Sequence, residues 1–241
     1  MTLSIILPVY NDIDELIHGL NYLKENFPRP YELIIVDDGS KFSNQYLKLA
    51  SQFNAKYLQN IQNEGKGASV RKGALAARGD MVMFTDSDVP YHAQEMIAMV
   101  ELMNDHSIDI VCGSRFGKNI YMKKTSMLRG RLSKLFNFLT NIFLNLRGID
   151  SQCGLKVFRS SIVEELFKEQ KIKRYSFDAE ILVRAVKRNY KLVSLPVTLR
   201  EITPGSLKLY KDGIRMLWDL FVIFVYYRII KDYKGSSNHE S

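Results

Sequence analysis

The sequence predicts an α/β fold, an open and mostly parallel sheet covered by helices on both faces. Three observations carry that prediction. Short, continuous apolar runs alternate five times with segments of helical period, the pattern of strands buried on both faces and joined through helices. Four of those runs end in polar clusters, and open sheets of this kind bind ligands at the carboxyl ends of their strands. One run, Met81-Val82-Met83-Phe84, leads through Thr85 into Asp86-Ser87-Asp88. In an extended chain, positions i and i+2 point to the same side. Asp86 and Asp88 can then share one hard cation, Mg²⁺ or Mn²⁺, which would also bridge phosphates. A solvated turn after a strand would look the same in isolation. What favours a binding site is that the other clusters converge on the same rim.

The first strand covers 3–10 and ends at Pro8-Val9-Tyr10-Asn11. Asp12 can cap a helix whose apolar positions are Ile13, Leu16, Ile17, Leu20 and Leu23. The second strand, 31–36, stops at Asp37-Asp38-Gly39-Ser40. A helix over about 43–53 and a short strand near 56–58 follow. Asn63-Glu64-Gly65-Lys66-Gly67 then opens a helix that runs to Ala77, and Arg78-Gly79-Asp80 ends it before the strand into Asp86. A helix from about 93 to 104 leads to a strand over 108–113, closed by Gly113-Ser114-Arg115.

No G-x-G-x-x-G follows the first strand and no P-loop pattern occurs, which disfavours a dinucleotide fold or an NTPase. Gly65-Lys66-Gly67 reads either as turn glycines beside a solvated lysine or as an anion site at a helix start, and Arg71 either joins it or faces water. With 241 residues, 46% of them apolar, the chain forms one large domain or one domain with an appendage. The expected division is a single domain over 1–234. Its nucleotide-binding half is 1–115, its acceptor half 116–209 and its amphipathic C-terminal helix 210–234, with a disordered tail at 235–241. Cys112 and Cys153 offer neither metal spacing nor a disulfide framework, which fits a reducing compartment. The opening MTLSIILPVYND has no basic leader and is interrupted by Pro8 and Asp12, so no secretory signal is expected. The longest apolar run, 220–227, is far shorter than the roughly 18 residues of a membrane span.

The net charge of +8 comes from one block. No acidic residue lies between Asp109 and Asp150, and that interval holds Arg115, Lys118, Lys123, Lys124, Arg129, Arg131, Lys134 and Arg147. Such a block expects phosphate, in nucleic acid, anionic lipid or a phosphorylated substrate. It overlaps a stretch over 128–146 whose apolar positions Leu132, Leu135, Phe136, Leu139, Phe143 and Leu146 suit a helix with one greasy face. A second such stretch covers 214–230, with Trp218, Tyr226 and Tyr227. Both read as core packing or as helices lying in a membrane interface, where each basic residue near an anionic surface adds about 1 kcal/mol.

Taken together, Pro8-Val9-Tyr10-Asn11-Asp12, Val36-Asp37-Asp38-Gly39-Ser40, Asn63-Glu64-Gly65-Lys66-Gly67 and Asp86-Ser87-Asp88 resemble the glycosyltransferase family two enzymes of the GT-A fold. Gly113-Ser114-Arg115, the run from Asp150 to Phe158, Phe177-Asp178-Ala179-Glu180-Ile181 and Leu195-Pro196-Val197 are similar to the polyprenyl-phosphate members. Among these, Asp150-Ser151-Gln152-Cys153-Gly154 resembles the dolichyl-phosphate β-glucosyltransferases more than the dolichyl-phosphate mannose synthases. The resemblance covers about 3–225. It implies a Rossmann-like sheet with amphipathic helices at the acceptor side. The implied reaction is an inverting, metal-assisted transfer of a hexose, glucose favoured, from a nucleotide diphosphate sugar such as UDP-glucose to a polyprenyl phosphate.

The resemblance also assigns residues. Pro8, Tyr10, Asp12, Asp38 and Lys66, with Asp37 as a weaker candidate, would hold the base and ribose. Asp86 would lie against the nucleotide, and Asp88 would bind the metal with Asp86. Arg115, Arg129, Arg131 and Ser133 would hold the acceptor phosphate. Gln152 and Asp178 or Glu180, with Ser206, would lie near the sugar or a lid, and Arg200 would reach the diphosphate. Asp178 and Glu180 also read as ordinary helix-start carboxylates. Two departures stand out. Pro90 occupies the position of a metal-coordinating side chain in some relatives, and Lys208 comes one residue later than the family's lysine.

The chemistry stands without the family. A phosphate acceptor is already anionic and needs positioning more than a base, and none of His18, His92, His106 and His239 is assigned a catalytic role. The departing diphosphate needs a metal and Lys or Arg. A GDP-mannose donor or a saccharide acceptor keeps the same fold. A third reading is a non-catalytic relative that binds phosphate or lipid through the basic block. Nucleic acid is not the expected partner, since Phe136 falls on the greasy helical face. The expected location is the cytoplasmic face of a membrane, peripherally bound. A homo-oligomer or an integral-membrane partner stays open.

Overall fold

A computed structural model of the chain describes residues 1–115, 127–146, 148–200 and 209–230; along 127–135, 209–212, 214 and 228–230 it describes the backbone only. The first half builds β1 (Leu3–Val9), α1 (Ile13–Asn26), β2 (Tyr31–Asp37), α2 (Ser43–Gln52), β3 (Lys56–Gln59), α3 (Lys66–Ala76), β4 (Met81–Phe84), α4 (Ala93–Leu102) and β5 (Ile110–Ser114). The second half adds α5 (Met127–Leu144), β6 (Lys156–Arg159), α6 (Ser160–Lys168), α7 (Phe177–Lys187), β7 (Leu192–Pro196) and α8 (Leu209–Phe224), which runs on into a π-helical segment, Val225–Ile230.

One seven-stranded sheet passes through both halves in the order β3-β2-β1-β4-β6-β5-β7. All neighbours are parallel except β6, which runs antiparallel to both β4 and β5. The sheet is buried on both sides, and β1 shows how. Leu3, Ile5, Leu7 and Val9 pack into one cluster with Leu16, Leu20 and Leu23 of α1 and Met96 and Met99 of α4. Ile6 faces the other way, into a cluster with Val70 and Ala74 of α3, Leu166 of α6 and Leu182 of α7. Alternation along a strand sends successive side chains to opposite faces, so a continuous apolar run serves both layers. Each fully buried Leu or Ile contributes roughly 1.5–3 kcal/mol.

Local chemistry fixes the helix ends. Asp12 caps α1 by accepting the Glu15 N–H at 3.3 Å, and Pro28 follows its last turn. Gly65 precedes α3 at φ +107°, where a Cβ would stand 2.6 Å from the Lys173 carbonyl oxygen, so no other residue fits.

The antiparallel strand was not in the expected pattern, and it matters most. Because β6 opposes its neighbours, its beginning lies at the carboxyl ends of β4 and β5. The run Asp150-Ser151-Gln152-Cys153-Gly154, just before it, is thereby carried to the rim where Asp86 and Arg115 stand. The fifth strand begins at Ile110 rather than 108, since Ile108 closes a turn on the Asp105 carbonyl.

Candidate active site

The rim is built from four carboxyl ends and one beginning. After β4 the chain turns. The Val89 N–H donates to the Asp86 carbonyl at 3.0 Å. Val89 itself lies at φ +47°, a region that costs a β-branched residue about 1–3 kcal/mol. The extended geometry expected for Asp86 and Asp88 is therefore corrected: they flank a tight turn. α1 approaches this turn so closely that a Cβ on Gly19 would collide with the Ser87 carbonyl oxygen at 2.0 Å.

Asp86 is the meeting point of the two halves. Its carboxylate is paired with the Lys66 ammonium at the start of α3. Its other oxygen would lie 2.5 Å from a Cβ on Gly154. Burial opposes the Lys66 charge, but Asp86 and Asp178 outweigh it and hold the ammonium above the ordinary lysine range. Asp88 is buried. A residue that sequence reasoning missed, Glu15, faces the same place. Burial, and then Asp12, Asp88 and Asp86, push its carboxyl up to about 7. A fourth acid three residues after Asp12 could have been suspected from the cap alone.

Among the described residues, no three His, Cys, Asp or Glu side chains form a closed metal cage. The donor set still fits a hard cation. Two carboxylates two residues apart, with Glu15 close by, suit an ion that takes its remaining oxygens from a ligand and water.

The other candidates divide. Tyr10 is half exposed beyond β1, and Asn11 ties that end to the next by accepting the Lys41 N–H at 2.9 Å and by donating its own N–H to Ser40 Oγ at 2.9 Å. Pro8 pairs in register with Val36, and Asp12 is the α1 cap. Asp38 accepts from Asn60 Nδ2 at 2.8 Å and from the N–H groups of Glu64 at 3.0 Å and Gly65 at 2.8 Å, and so orders the loop that delivers Lys66. Asp37, the weaker candidate, is fully buried and accepts from the Ser40 N–H and the Tyr57 hydroxyl, so it shapes the turn.

Arg115 grips Asp150 through Nε at 2.9 Å, Nη2 at 3.0 Å and its own N–H at 3.1 Å. Burial works against the Asp150 charge, but Arg115 outweighs it and holds the carboxyl below the usual carboxylate range. Asp150 also accepts the Gln152 N–H, which places Gln152 at the rim. Lys156, whose role sequence reasoning did not see, lies fully buried behind this run. It donates to the carbonyls of Ser151 and Cys153 and to Asp178 Oδ1, at 3.1, 2.6 and 2.8 Å. Asp178 thus sits beneath the rim, within the field of Lys66.

Glu180 does not share that place, so of the two alternatives it is Asp178 that lies by the rim. Glu180 accepts from the N–H groups of Lys171 and Ile172, from Arg184 and from the Tyr227 hydroxyl, and it fastens α7 to the π-helical segment. Arg200 was expected at the diphosphate. Its guanidinium lies on the carbonyls of Asp88 and Val89 and over the ring of Tyr22. Arg129, Arg131 and Ser133 fall in the first turns of α5, but their side chains are outside the described part of the structure. Ser206, Lys208, Arg147 and the basic residues of 116–126 lie outside the described residues.

A family model described as "Glycosyl transferase family 2" matches residues 4–167. The dolichyl-phosphate beta-glucosyltransferase of Dictyostelium discoideum is 32% identical over 237 residues, covering 90% of this chain and 72% of that protein. Those of Saccharomyces cerevisiae and Homo sapiens are each 30% identical over 250 residues, covering 93% of this chain and 75% of theirs. Among solved structures, the glucosyl-3-phosphoglycerate synthase of Mycobacterium tuberculosis in complex with Mn²⁺, uridine diphosphate and glucosyl-3-phosphoglycerate superposes with a TM-score of 0.67. It is 17% identical and covers 93% of this chain and 79% of that one, a likeness of fold.

Proposed function

From the premise that this chain belongs to glycosyl transferase family 2, we propose that it transfers glucose from UDP-glucose to a polyprenyl phosphate, with inversion at the sugar. The observation that carries this reading is the position of Asp86, between Lys66 of the donor half and Gly154 of the run before β6. That run is the part of the sequence most like the glucosyltransferases.

The donor's base and ribose would lie over Pro8, Tyr10 and Asp12, beside the loop that Asp38 orders. Asp86 and Asp88 would hold Mg²⁺ or Mn²⁺, which, when bound, neutralises charge on the departing diphosphate. Lys66 adds positive charge on the same side. Gln152 would touch the sugar, above the Lys156–Asp178 pair. The acceptor phosphate would be met by Arg115 and by Arg129, Arg131 and Ser133. One of its oxygens forms the new bond to the anomeric carbon as the bond from that carbon to the diphosphate breaks, and the diphosphate leaves with the electron pair. No side chain needs to remove a proton, because the acceptor is already an anion.

We also infer that the acceptor is met at a membrane surface, its cytoplasmic face. α5 and α8 pack together, with Phe143 edge-on to Phe224, and between them expose Phe138, Ile142, Leu217, Trp218 and Phe221. No described helix is long and apolar enough to cross a membrane. An apolar face on helices whose sequence carries a basic block at 115–147 suits lipid tails next to anionic head groups.

The test is transfer of label from UDP-glucose, against GDP-mannose, to a short polyprenyl phosphate with Mg²⁺ or Mn²⁺. Metal-dependent label in the lipid phase from UDP-glucose supports the proposal. Label from GDP-mannose alone would overturn the sugar, and no transfer from either would overturn the acceptor.

A further inference from the structure

The turn that carries Asp88 holds a residue that should not be there. Val89 is β-branched, precedes Pro90, and lies at φ +47°. Branching at Cβ and a following proline both disfavour that conformation. Something outside the turn must hold it, and Arg200 does so from 111 residues away. Its Nε and Nη2 donate to the Val89 carbonyl at 3.1 and 3.0 Å, and Nη2 reaches the Asp88 carbonyl at 3.4 Å. Its backbone N–H donates to the Pro90 carbonyl at 2.8 Å. The guanidinium is itself fixed, stacked 3.4 Å from the ring centre of Tyr22, whose hydroxyl accepts the Ala93 N–H at 2.9 Å. α1, the start of α4 and the segment after β7 thus close on one turn.

We propose that Arg200 is a positioning residue. It acts through the carbonyls of Asp88 and Val89, holding the strained turn in the shape that presents Asp88, and Tyr22 keeps its guanidinium in place. The proposal rests on Asp86 and Asp88 serving as the donor's metal-diphosphate site. It differs from a direct contact between Arg200 and the diphosphate, because the arginine's work is done on the backbone.

A double-mutant cycle on the full chain tests it, read by calorimetry as affinity for uridine diphosphate in the presence of Mn²⁺, so no turnover is needed. Arg200→Ala is expected to weaken binding about tenfold, the factor that roughly 1.4 kcal/mol corresponds to. Val89→Gly alone should stay within about threefold of the parent, since glycine takes positive φ freely. Together the two should also return to within about threefold of the parent, because the turn no longer needs its clamp. A double variant as weak as Arg200→Ala overturns the proposal and puts the guanidinium on the ligand. Arg200→Gln keeps an amide donor for the Val89 carbonyl without the charge. It should bind nearly as the parent does, and it carries the test if the alanine variant does not fold. A loss as large as tenfold there, by the same measure, also overturns the clamp. Asp88→Asn separates the premise. If it abolishes the Mn²⁺-dependent gain while the other two substitutions simply add, only the clamp fails. If it binds as the parent does, the metal-site reading fails, and the clamp with it.

Discussion

Gly154 stands against the carboxylate of Asp86, with room for a hydrogen and no more: a Cβ on residue 154 would lie 2.5 Å from Asp86 Oδ2 and 3.5 Å from Lys66 Nζ. Residue 154 has no positive φ that would demand glycine. The requirement comes from the neighbour across the rim. Gly154→Ala should therefore shift Asp86 or break its pairing with Lys66 and lower the transfer rate roughly 10- to 100-fold, as a displacement near 1 Å does at a reacting centre. Thermal stability should change by about 1 kcal/mol or less, the usual range away from core cavities. Steady-state transfer beside a melting curve checks this. A parent-like rate would mean that Asp86 need not keep its place.

Asp88→Ala should remove catalysis while leaving the fold. Losing a group that serves charge stabilisation of a leaving group costs on the order of 10²–10³ in rate. Binding of vesicles that contain anionic lipid should be unaffected, because the surface proposed for it is on α5 and α8. Transfer assays and vesicle cosedimentation on the same preparation separate the two. Unchanged transfer would mean that Asp88 is not needed for the leaving group, whereas no transfer by the parent, with vesicle binding intact, would favour the non-catalytic alternative.

The Arg115–Asp150 pair sets a pH dependence with a definite sign. Asp150 is held below its ordinary range when folded, so the unfolded chain takes up a proton before the folded one does. Its contribution is fully present above the unfolded carboxylate range, near pH 4, and is lost as pH falls through the lower, folded value. Asp150→Asn should flatten the acid limb of the stability curve. At pH 7 it should cost about 1.5–3 kcal/mol, because the charge-assisted hydrogen bonds between Arg115 and the buried Asp150 carboxylate are lost. Denaturant melts at pH 7 and at pH 3 measure both. An equal loss at the two values would rule the pairing out as the cause.

These predictions draw on residues that differed in how far sequence could reach them. β1, β2 and β4 were readable because each is a continuous apolar run ending in polar residues, and their parallel order then fixed the rim. β6 was not. Lys156-Val157-Phe158-Arg159 is four residues long and begins with a lysine, which breaks the apolar pattern. That lysine is tolerated only because Asp178 and two carbonyls meet it, and Asp178 is 22 residues away in the chain. The choice between Asp178 and Glu180 stayed open for the same kind of reason. Nothing local distinguishes Glu180 from Asp178 two residues earlier, and its direction is set by Arg184, Tyr227 and the Lys171–Ile172 backbone. Asp37 and Asp38, adjacent in sequence, also part company, since only the tertiary positions of Tyr57 and the 60–65 loop decide what each carboxylate holds.

The apolar face of α5 and α8 should bind lipid through side chains that do little for folding. Trp218 is 64% exposed, Phe221 54% and Phe138 60%, whereas Leu220 and Ile223 on the opposite side of α8 are buried in the core. Burying an aromatic side chain of this size from water contributes roughly 1.5–3 kcal/mol, so Trp218→Ser and Phe221→Ser together should weaken vesicle binding on the order of 100-fold or more. The melting temperature should hold, or rise slightly if the exposed rings promote aggregation. Leu220→Ala is the contrasting variant: it should cost about 2–5 kcal/mol of stability and leave the exposed side chains of that face intact. Cosedimentation with vesicles of neutral and of anionic lipid distinguishes the parts. Apolar burial alone predicts equal loss on both. A role for the basic block beside α5 predicts that the parent prefers anionic vesicles, and that high salt removes this preference while the serine variants leave it in place. Vesicle binding untouched by the serine pair would mean that another surface meets the lipid.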